Sequence, residues 1–370
     1  MAPNLSISGH DLLLTWLEPA GGKEGHRLRF ARLAGGRWSA PVTVVEGRDF
    51  FANWADFPAA IQSPDGSLVV HWLAKTGADT YAYAIDLARS TDGGATWSRA
   101  GRLHGDTVPA EHGFVSWLPE KDGVRAFWLD GRAVPGGGAM SLRTGLVRQG
   151  SGRGERLLDD RVCDCCQTDA ALAAGGPVVA YRDRSDKEVR DISVIRRTAG
   201  GWSQPVRVHA DDWSIPGCPV NGPAIAASGR NVAVAWFTAA PPDPRVQVAF
   251  SRDGGATFGK PVLVDGDQPL GRVDLALGPD GDALVSWQAY AEKGAAVLLR
   301  RVTPAGRRGE TLTVAATSPA RASGFPRMAR LGDRLFLAWV EDGTPSRIRV
   351  ASLPTPPTPP PPTPAARPRL

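Results

Sequence analysis

The chain has 370 residues, and its 43 lysine and arginine residues exceed its 38 acidic residues by five. The basic residues are 37 arginines and 6 lysines with acidic residues scattered among them, so the clustered basic stripe typical of a nucleic-acid-binding protein is missing. No run of about 18 apolar residues occurs, which argues against a membrane-spanning helix.

A short apolar strand that ends in an aromatic residue recurs along the whole chain, as in "LLLTW", "LVVHW" and "ALVSW". The intervals between successive copies are 51 to 56 residues. Such regular spacing predicts one structural unit repeated along the sequence. The aromatic residues that end the seven copies are Trp16, Trp72, Trp128, Tyr181, Trp236, Trp287 and Trp339.

Each unit contains four short strand patterns separated by turns, and four strands per repeat are typical of a β-propeller blade. The 43 glycines and 32 prolines interrupt every candidate helix before it reaches three turns. We therefore predict an all-β fold over residues 1–353, a β-propeller of seven four-stranded blades. Six blades are the alternative, if the first and last partial units combine to close the ring.

Two of the predicted turns between third and fourth strands, in blades two and five, match the pattern S-x-D-x-G-x-T-[WF], the Asp box. The Asp can accept hydrogen bonds from its own turn, the Gly relieves backbone strain, and the aromatic ring fills the gap between strands. These boxes are therefore interpreted as structural. Their residues are Ser90, Asp92, Gly94, Thr96 and Trp97 in the first box, and Ser251, Asp253, Gly255, Thr257 and Phe258 in the second.

With two such boxes in phase, residues 5 to about 352 resemble the Asp-box propellers of the sialidase superfamily, which contain the bacterial neuraminidase repeat. The stretches "NWADFP", "EHGFVSW", "WLDGR", "CDCCQTD" and "GCPVNGP" also resemble a group of bacterial sialidase-like proteins. The resemblance implies a propeller fold, and it brings no established reaction with it.

Strand alternation predicts that the segments before the inner strands share one face with the segments after the aromatic-ended strands. This face should carry the axial channel mouth and a ligand site, and the Asp boxes should lie on the opposite face. The candidate residues before inner strands are Asn53, Trp54, Asp56, Glu111, His112, Gln167, Asn221, Arg272 and Phe325. The candidates after aromatic-ended strands are Asp130, Arg132, Arg182, Asp183, Arg184, Tyr290, Glu292, Glu341 and Asp342.

All four cysteines of the chain are expected at one side of this mouth. Aligning the strands that follow "CDCCQTD" and "GCPVNGP" places Cys165 or Cys166 opposite Cys218 in the neighbouring blade. Four interpretations stay open for Cys163, Cys165, Cys166 and Cys218: disulfides, a zinc or copper site on thiolates, reactive thiol chemistry, or packing alone. The C-x-C-C arrangement departs from the paired C-x-x-C spacing of common zinc sites.

Sialidases, the enzymes of the superfamily that the chain resembles, bind the substrate carboxylate with arginines. They use a Tyr nucleophile activated by a Glu, and an Asp as acid/base. Arg132, Arg182, Arg184 and Arg272 could supply the cations, Tyr290 with Glu292 the nucleophilic pair, and Asp56 the acid. The early Arg-Ile-Pro motif of that family is missing. Turn salt bridges for Asp130 with Arg132, and blade packing for Trp54, are the structural alternatives.

The sequence thus predicts a monomeric propeller that recognises a carbohydrate or other small molecule at the channel mouth. An exo-glycosidase of sialidase type, and a soft-metal or thiol-redox protein, are the alternatives. No certain cofactor is indicated beyond the zinc or copper option. Residues 354–370, "PTPPTPPPPTPAARPRL", are expected to form a disordered Pro-rich tail. A periplasmic or extracellular location is expected if the chain start is truncated, and a cytoplasmic one otherwise.

Overall fold

The computed structural model describes residues 3–21, 25–341 and 343–360. Asp342 and residues 361–370 of the predicted tail lie outside the described residues. The described chain folds into 29 β-strands in seven antiparallel sheets, with two short 3-10 helices, Val134–Gly136 and Arg321–Ser323. No described helix is long and apolar enough to cross a bilayer.

The first four blades follow one another along the chain. Blade one has β1 (Asn4–Ser8), β2 (Asp11–Ala20), β3 (Gly25–Ala34), β4 (Arg37–Trp38) and β5 (Val42–Gly47). Blade two has β6 (Ala60–Gln62), β7 (Leu68–Lys75), β8 (Tyr83–Ser90) and β9 (Ser98–Arg102). Blade three has β10 (His112–Glu120), β11 (Gly123–Asp130), β12 (Ser141–Arg148) and β13 (Ser151–Asp159). Blade four has β14 (Asp169–Ala173), β15 (Gly176–Arg182), β16 (Ile192–Thr198), β17 (Gly201–Trp202) and β18 (Val206–Arg207).

The last three blades complete the ring. Blade five has β19 (Ala224–Ser228), β20 (Asn231–Thr238), β21 (Arg245–Ser251) and β22 (Val262–Asp265). Blade six has β23 (Pro269–Leu277), β24 (Ala283–Tyr290), β25 (Ala295–Val302) and β26 (Leu312–Thr317). Blade seven has β27 (Arg327–Leu331), β28 (Arg334–Glu341) and β29 (Arg347–Pro354).

The fold is the predicted seven-bladed β-propeller, and the six-bladed alternative is wrong. Blades one and four have five strands because their outer strand is split into two pieces that pair with the same third strand, β3 or β16. Three strands of blade seven lie in the described residues. The ring closes between the last and first blades, where Arg327 Nε donates to Asn4 Oδ1 at 3.1 Å.

The aromatic residues that reveal the repeat form the packing layer between blades. Trp72, Trp128, Tyr181, Trp236 and Trp287 are each no more than 1% exposed. A buried indole N–H needs an acceptor. An aspartate supplies it in three blades, where Nε1 of Trp128, Trp236 and Trp287 donates to Asp130, Asp211 and Asp265 at 2.9, 2.6 and 2.6 Å.

Both predicted Asp-box turns have the hydrogen bonds that their residue types led us to expect. In the β8–β9 turn, Asp92 accepts from the backbone N–H and hydroxyl of Thr96 at 2.9 and 2.6 Å. Asp253 accepts from Thr257 in the same way in the β21–β22 turn. Gly94 has φ +98°, and a Cβ there would lie 2.2 Å from the Phe30 ring, so glycine is required.

The antiparallel alternation of strands places these two turns and the cysteine segments on opposite faces. Residues 163–166 connect β13 to β14, whereas the Asp-box turns connect third to fourth strands. We refer to the two sides as the cysteine face and the Asp-box face.

The first residues of the Pro-rich tail lie against blade six. Arg301 Nη1 donates to the carbonyl of Pro356 at 2.5 Å, and the Thr358 hydroxyl donates to Asp280 Oδ2 at 3.0 Å. Pro356 and Pro359 are buried. Contacts with blade six therefore continue past residue 353 into the first residues of the tail.

Candidate functional site

Three of the predicted ligand-binding or catalytic side chains connect segments of different blades on the cysteine face. Asp56 Oδ2 accepts from the backbone N–H of Phe114 at 2.7 Å, and Asn221 Oδ1 accepts from that of Arg272 at 2.7 Å. Gln167 Nε2 donates to the carbonyl of Ala55 at 2.6 Å, and its Oε1 accepts from Gly222 N at 3.0 Å. All three side chains are buried, so they hold the segments of the rim in position.

The segments held by Asp56 and Asn221 have an unusual backbone. Phe114 and Arg272 have φ of 54° and 53°, a left-handed conformation that non-glycine residues rarely adopt. Each follows a glycine at which a Cβ would lie too close to the accepting side chain: 2.1 Å from Asp56 Oδ2 at Gly113 and 2.3 Å from Asn221 Oδ1 at Gly271. Backbone strain of this kind is commonly found at functional sites.

Two further predicted cationic residues are also engaged within the fold. Arg182 is 2% exposed and donates to the carbonyls of Asn221, Arg190 and Phe237 at 2.6–3.0 Å. Arg132 donates from Nε and Nη2 to both oxygens of Asp130, at 2.7 and 2.6 Å, which is the predicted turn salt bridge. Neither arginine has a free pair of guanidinium N–H donors, which a substrate carboxylate would need.

Apolar side chains of several blades pack together on the cysteine face. Trp54, Phe114, Cys165, Val220 and Phe325 come from segments of five different blades and pack into one cluster. The seven inner strands line an axial cavity of about 530 Å³ next to this cluster.

Asp169, Asp274 and Arg327 lie near one another on the inner strands β14, β23 and β27. Arg327 Nε is 3.4 Å from Asp274 Oδ2. The pKa of Asp169 is raised to about 7 by burial, an effect that the Arg327 charge opposes and the Asp274 charge reinforces. Both aspartates accept backbone N–H groups of the next blade, from Ile225 and Met328. The group therefore extends the blade-to-blade connections into the cavity wall.

A cleft of about 370 Å³ lies beside the apolar cluster, between blade one and the segments before blades two and seven. The predicted residues Asn53 and Trp54 line it. The other lining residues are Leu17, Glu18, Pro19, His26, Ala52, Arg321 and Ala322.

Two guanidinium groups lie close to the ring of Trp54. The Arg272 Cζ atom is 5.0 Å from the ring centroid, and the Arg321 Cζ atom is 5.9 Å from it. Arg272 is 6% exposed, and burial lowers its pKa to about 10, so it stays charged at neutral pH. Its hydrogen-bond acceptors are all uncharged: Gln288, Ser323 and the carbonyls of Pro319, Ala320 and Gly324. Neither arginine makes an ion pair with a carboxylate among the described residues.

Tyr83 and Glu111 form a hydrogen-bonded pair that the sequence reasoning missed. The Tyr83 hydroxyl donates to Glu111 Oε1 at 2.6 Å. Burial raises the pKa of Glu111 to about 7, with the charges of Asp164 and Cys163 adding to the shift. Burial also raises the pKa of Asp56 to about 8, so this carboxyl is mostly protonated at pH 7. Tyr83 and Glu111 are 28 positions apart in the sequence, and the packing of two adjacent blades brings them together. No local sequence pattern marks this tyrosine.

The predicted nucleophilic pair is not assembled. Tyr290 is 54% exposed at the end of β24, and no hydrogen bond joins it to Glu292, both residues being described. Glu111 and Asp56 lie near Tyr83, and Asp183 lies near Tyr181, but both tyrosines are fully buried.

His112 belongs to a polar group beneath the rim. Its Nδ1 lies 3.0 Å from the carbonyl oxygens of Tyr83 and Ala110, which both accept hydrogen bonds. Its Nε2 is 2.7 Å from Asp106 Oδ2, and its ring stacks on that of His104 at 4.0 Å. His104, Asp106 and His112 offer ligand atoms within 4.8 Å of one another, but the Arg132 guanidinium also lies 3.9 Å from Asp106.

The four cysteines are gathered as predicted, and one bridge is present. Cys165 and Cys218 form a disulfide with a Cα–Cα distance of 6.0 Å. Cys163 and Cys166 are free and buried, with their sulfur atoms 3.2 Å apart. Only these two thiols are therefore available as ligands for the predicted zinc or copper ion while the bridge is closed.

The two free thiols have different environments. The pKa of Cys163 is lowered to about 6, chiefly by the hydrogen bond from Cys166, with help from the Cys165 N–H and the charges of Arg182 and Arg190. Burial raises the pKa of Cys166 well above its usual value. Cys163 and Cys166 are themselves a C-x-x-C pair, a spacing that the sequence reasoning overlooked.

The predicted residues Asp183 and Arg184 support the loop beside these thiols. Arg184 forms ion pairs with Glu188 at 2.8 Å and with Asp164 at 3.0 Å. Asp183 Oδ2 accepts from the Ser193 hydroxyl at 3.0 Å, and burial raises its pKa. Both residues lie at the cysteine face, as expected from their position after β15.

No known family profile matches the chain, and no curated protein matches it by sequence. Solved structures do share its fold. The polysaccharide lyase Uly1 is 9% identical with a TM-score of 0.59, over 94% of this chain and 88% of that one. The α-L-arabinofuranosidase Arb93A of Fusarium graminearum is 12% identical with a TM-score of 0.53, over 95% and 92%.

A protein of unknown function from Dyadobacter fermentans is 15% identical with a TM-score of 0.51, over 95% of this chain and 92% of that one. Sialidases are also among the structures that resemble the chain. At these identities the likeness concerns the fold alone, and the seven sheets of the chain define its class as a seven-bladed β-propeller.

Proposed function

We propose that this propeller recognises an anionic carbohydrate in the cleft beside Trp54 on the cysteine face. The observation that carries the proposal is the pair of guanidinium groups at Trp54, from Arg272 and Arg321, neither of which has a carboxylate partner in the described chain. A buried cation without a counter-ion attracts an anion to the surface above it, because the low-dielectric interior screens its charge weakly.

The two arginines have different roles in this proposal. Arg272 is already saturated by neutral acceptors, so it contributes charge and orients Trp54. Arg321 is exposed, and its fork is available for a carboxylate or sulfate group. The Asn221 side chain holds the strained backbone of Arg272 in position, and this supports the role of Arg272 as a fixed source of positive charge.

The composition of the cleft fits a sugar. Its apolar wall includes Leu17, Pro19 and Trp54, while Glu18 and Asn53 offer hydrogen-bonding groups. A volume of about 370 Å³ is within the usual range for small-molecule sites. The similar structures named above include a polysaccharide lyase and an arabinofuranosidase, and these names support a carbohydrate as the class of ligand.

Recognition without hydrolysis is favoured over an exo-glycosidase of sialidase type. Two tyrosines have a carboxylate partner, Tyr83 with Glu111 and Tyr181 with Asp159, and both are fully buried with pKa values raised well above the usual value. Neither can therefore reach an anomeric carbon at the surface. Tyr290 is exposed but lacks the glutamate contact that would activate it.

Calorimetric titration with acidic oligosaccharides and their neutral counterparts tests the proposal. We expect binding of the acidic sugars only, weakened at least about tenfold by Arg321→Ala, since a charge-assisted contact is lost. Arg99→Ala is the matched control, because Arg99 is an exposed arginine over another tryptophan, Trp72, at 5.2 Å.

Equal binding of neutral and acidic sugars, or an Arg321→Ala variant that binds like the native protein, would refute the proposal. Analysis of the same mixtures for new reducing ends tests the glycosidase alternative.

A further inference from the structure

The four cysteine sulfurs form a continuous path from the surface to the interior. Cys218 is exposed and Cys165, its disulfide partner, is half-buried. Cys163 Sγ lies 4.0 Å from Cys165 Sγ and 3.2 Å from Cys166 Sγ. A free, buried dithiol therefore lies directly behind a surface disulfide.

The protein positions the sulfur of Cys163 as a hydrogen-bond acceptor. Arg190 Nη1 donates to Cys163 Sγ at 3.3 Å, and Glu188 holds the same guanidinium through Nη2 at 2.8 Å. Arg190 is 3% exposed, so its charge acts on the sulfur in a dry environment. A thiolate is the form of cysteine that such a cation stabilises, and it is the form that attacks disulfides.

We propose that these four cysteines are a thiol–disulfide exchange site. Cys163 is the internal nucleophile, and Cys218 is the surface cysteine that the exchange releases as a free thiol. The inference is independent of the carbohydrate proposal, because it uses none of the residues of the Trp54 cleft.

The chemistry requires no external oxidant. The Cys163 thiolate attacks Cys165 Sγ, a Cys163–Cys165 bond forms, and the Cys165–Cys218 bond breaks. The electron pair leaves on Cys218 Sγ, which takes up a proton from solvent. Cys166 then attacks Cys163 Sγ and its proton passes to the leaving Cys165 sulfur, so that a Cys163–Cys166 disulfide forms and Cys165 becomes a free thiol. One disulfide is present before and after, so the two states are isomers.

The two isomers differ in what they present to solvent. In the described isomer the bridge ties the segment of Cys218 to the rim of blade four. In the other isomer the oxidised pair is buried, and the exposed Cys218 carries a free thiol. A disulfide compound in solution would react with the free thiol of Cys218 by exchange.

Native alkylation without reductant tests the proposal. The protein is incubated with N-ethylmaleimide, quenched in acid at successive times, and mapped by peptide mass spectrometry. We expect the label to accumulate on Cys218 in the native protein, and at least about tenfold more slowly in Cys163→Ser, because the attacking thiolate is removed. Cys166→Ser retains the first step, so it should still label at Cys218.

A second measurement on the native chain removes any dependence on variant folding. Acid-quenched, unlabelled protein should contain a Cys163–Cys165 or Cys163–Cys166 linkage beside Cys165–Cys218. The proposal is overturned if Cys165–Cys218 is the single linkage found, or if Cys218 labels at the same rate with and without Cys163 in folded protein.

Discussion

The side chain of Asn221 accepts a hydrogen bond from the backbone N–H of Arg272 in the next blade, and Asp56 accepts the same bond from Phe114 three blades earlier. Both donors have positive φ, and both follow a glycine that leaves space for the accepting side chain. The acceptor is thus an amide in one place and a carboxyl group in the other. The neutral amide in the equivalent position agrees with the raised pKa of Asp56.

Replacing Asp56 by asparagine should flatten the pH dependence of stability. The folded pKa of about 8 lies above the unfolded value, so the stability contribution of Asp56 is full below about pH 4 and is lost as pH rises toward 8. The amide of the variant keeps an acceptor for Phe114 N and carries no charge to bury. We expect chemical denaturation to show Asp56→Asn gaining stability relative to the native protein between pH 5 and 8, by at most about 1.4 kcal/mol per pH unit.

Glu111 and Asp169 titrate in the same direction and remain in both proteins, so the difference between the two curves reports Asp56 together with its charge interaction with Glu111. Parallel curves from pH 4 to 8 would contradict the burial of an ionisable carboxyl group here.

A side chain at Gly113 should disrupt the connection between blades two and three. A Cβ there would lie 2.1 Å from Asp56 Oδ2, so Asp56 must move and Phe114 N loses its acceptor. We expect Gly113→Ala to lower the free energy of unfolding by about 2–3 kcal/mol. Gly136→Ala is the control, because nothing lies within 4 Å of its Cβ position and its change should stay within about 0.5 kcal/mol. Equal effects of the two substitutions would argue against the blade connection.

Removing the bridge by Cys218→Ser should destabilise the fold by about 2–4 kcal/mol, because a disulfide spanning 53 positions restricts the unfolded chain. Denaturation with and without reductant measures this effect: reductant should lower the stability of the native protein and leave that of the variant nearly unchanged. Opening the bridge frees Cys165 as a third thiol beside Cys163 and Cys166. Elemental analysis of the reduced protein therefore tests the predicted zinc or copper alternative. A variant as stable as the oxidised native protein would show that the bridge does not contribute.

The tail should divide into two parts with different effects on stability. Truncation after Pro360 leaves every contact of the described chain in place, so we expect an unchanged melting temperature. Truncation after Pro354 also removes the partners of Arg301 and Asp280, and leaves the buried Arg301 without one acceptor. We expect the second truncation alone to lower stability, by about 1–2 kcal/mol. If thermal denaturation shows identical melting temperatures for both, the contacts with blade six do not contribute.

The sequence by itself determined the fold and its periodicity. Seven aromatic-ended strands at near-constant spacing are local features, and each predicts one blade whatever its neighbours do. The Asp-box turns are equally local, since Asp92 bonds within its own short turn segment. The meeting of Cys165 with Cys218 also followed from the repeat, because equivalent positions in adjacent blades must be neighbours.

Only the tertiary structure decided which polar residues are free to act. Arg182, Asn221 and Arg272 have the residue types of a binding site, but the closed ring turns their hydrogen bonds inward to backbone groups of other blades. The Tyr83–Glu111 pair and the approach of Arg321 to Trp54 join segments that are distant in sequence. No periodic pattern encodes these contacts, because they depend on how the irregular segments between strands pack across the axis.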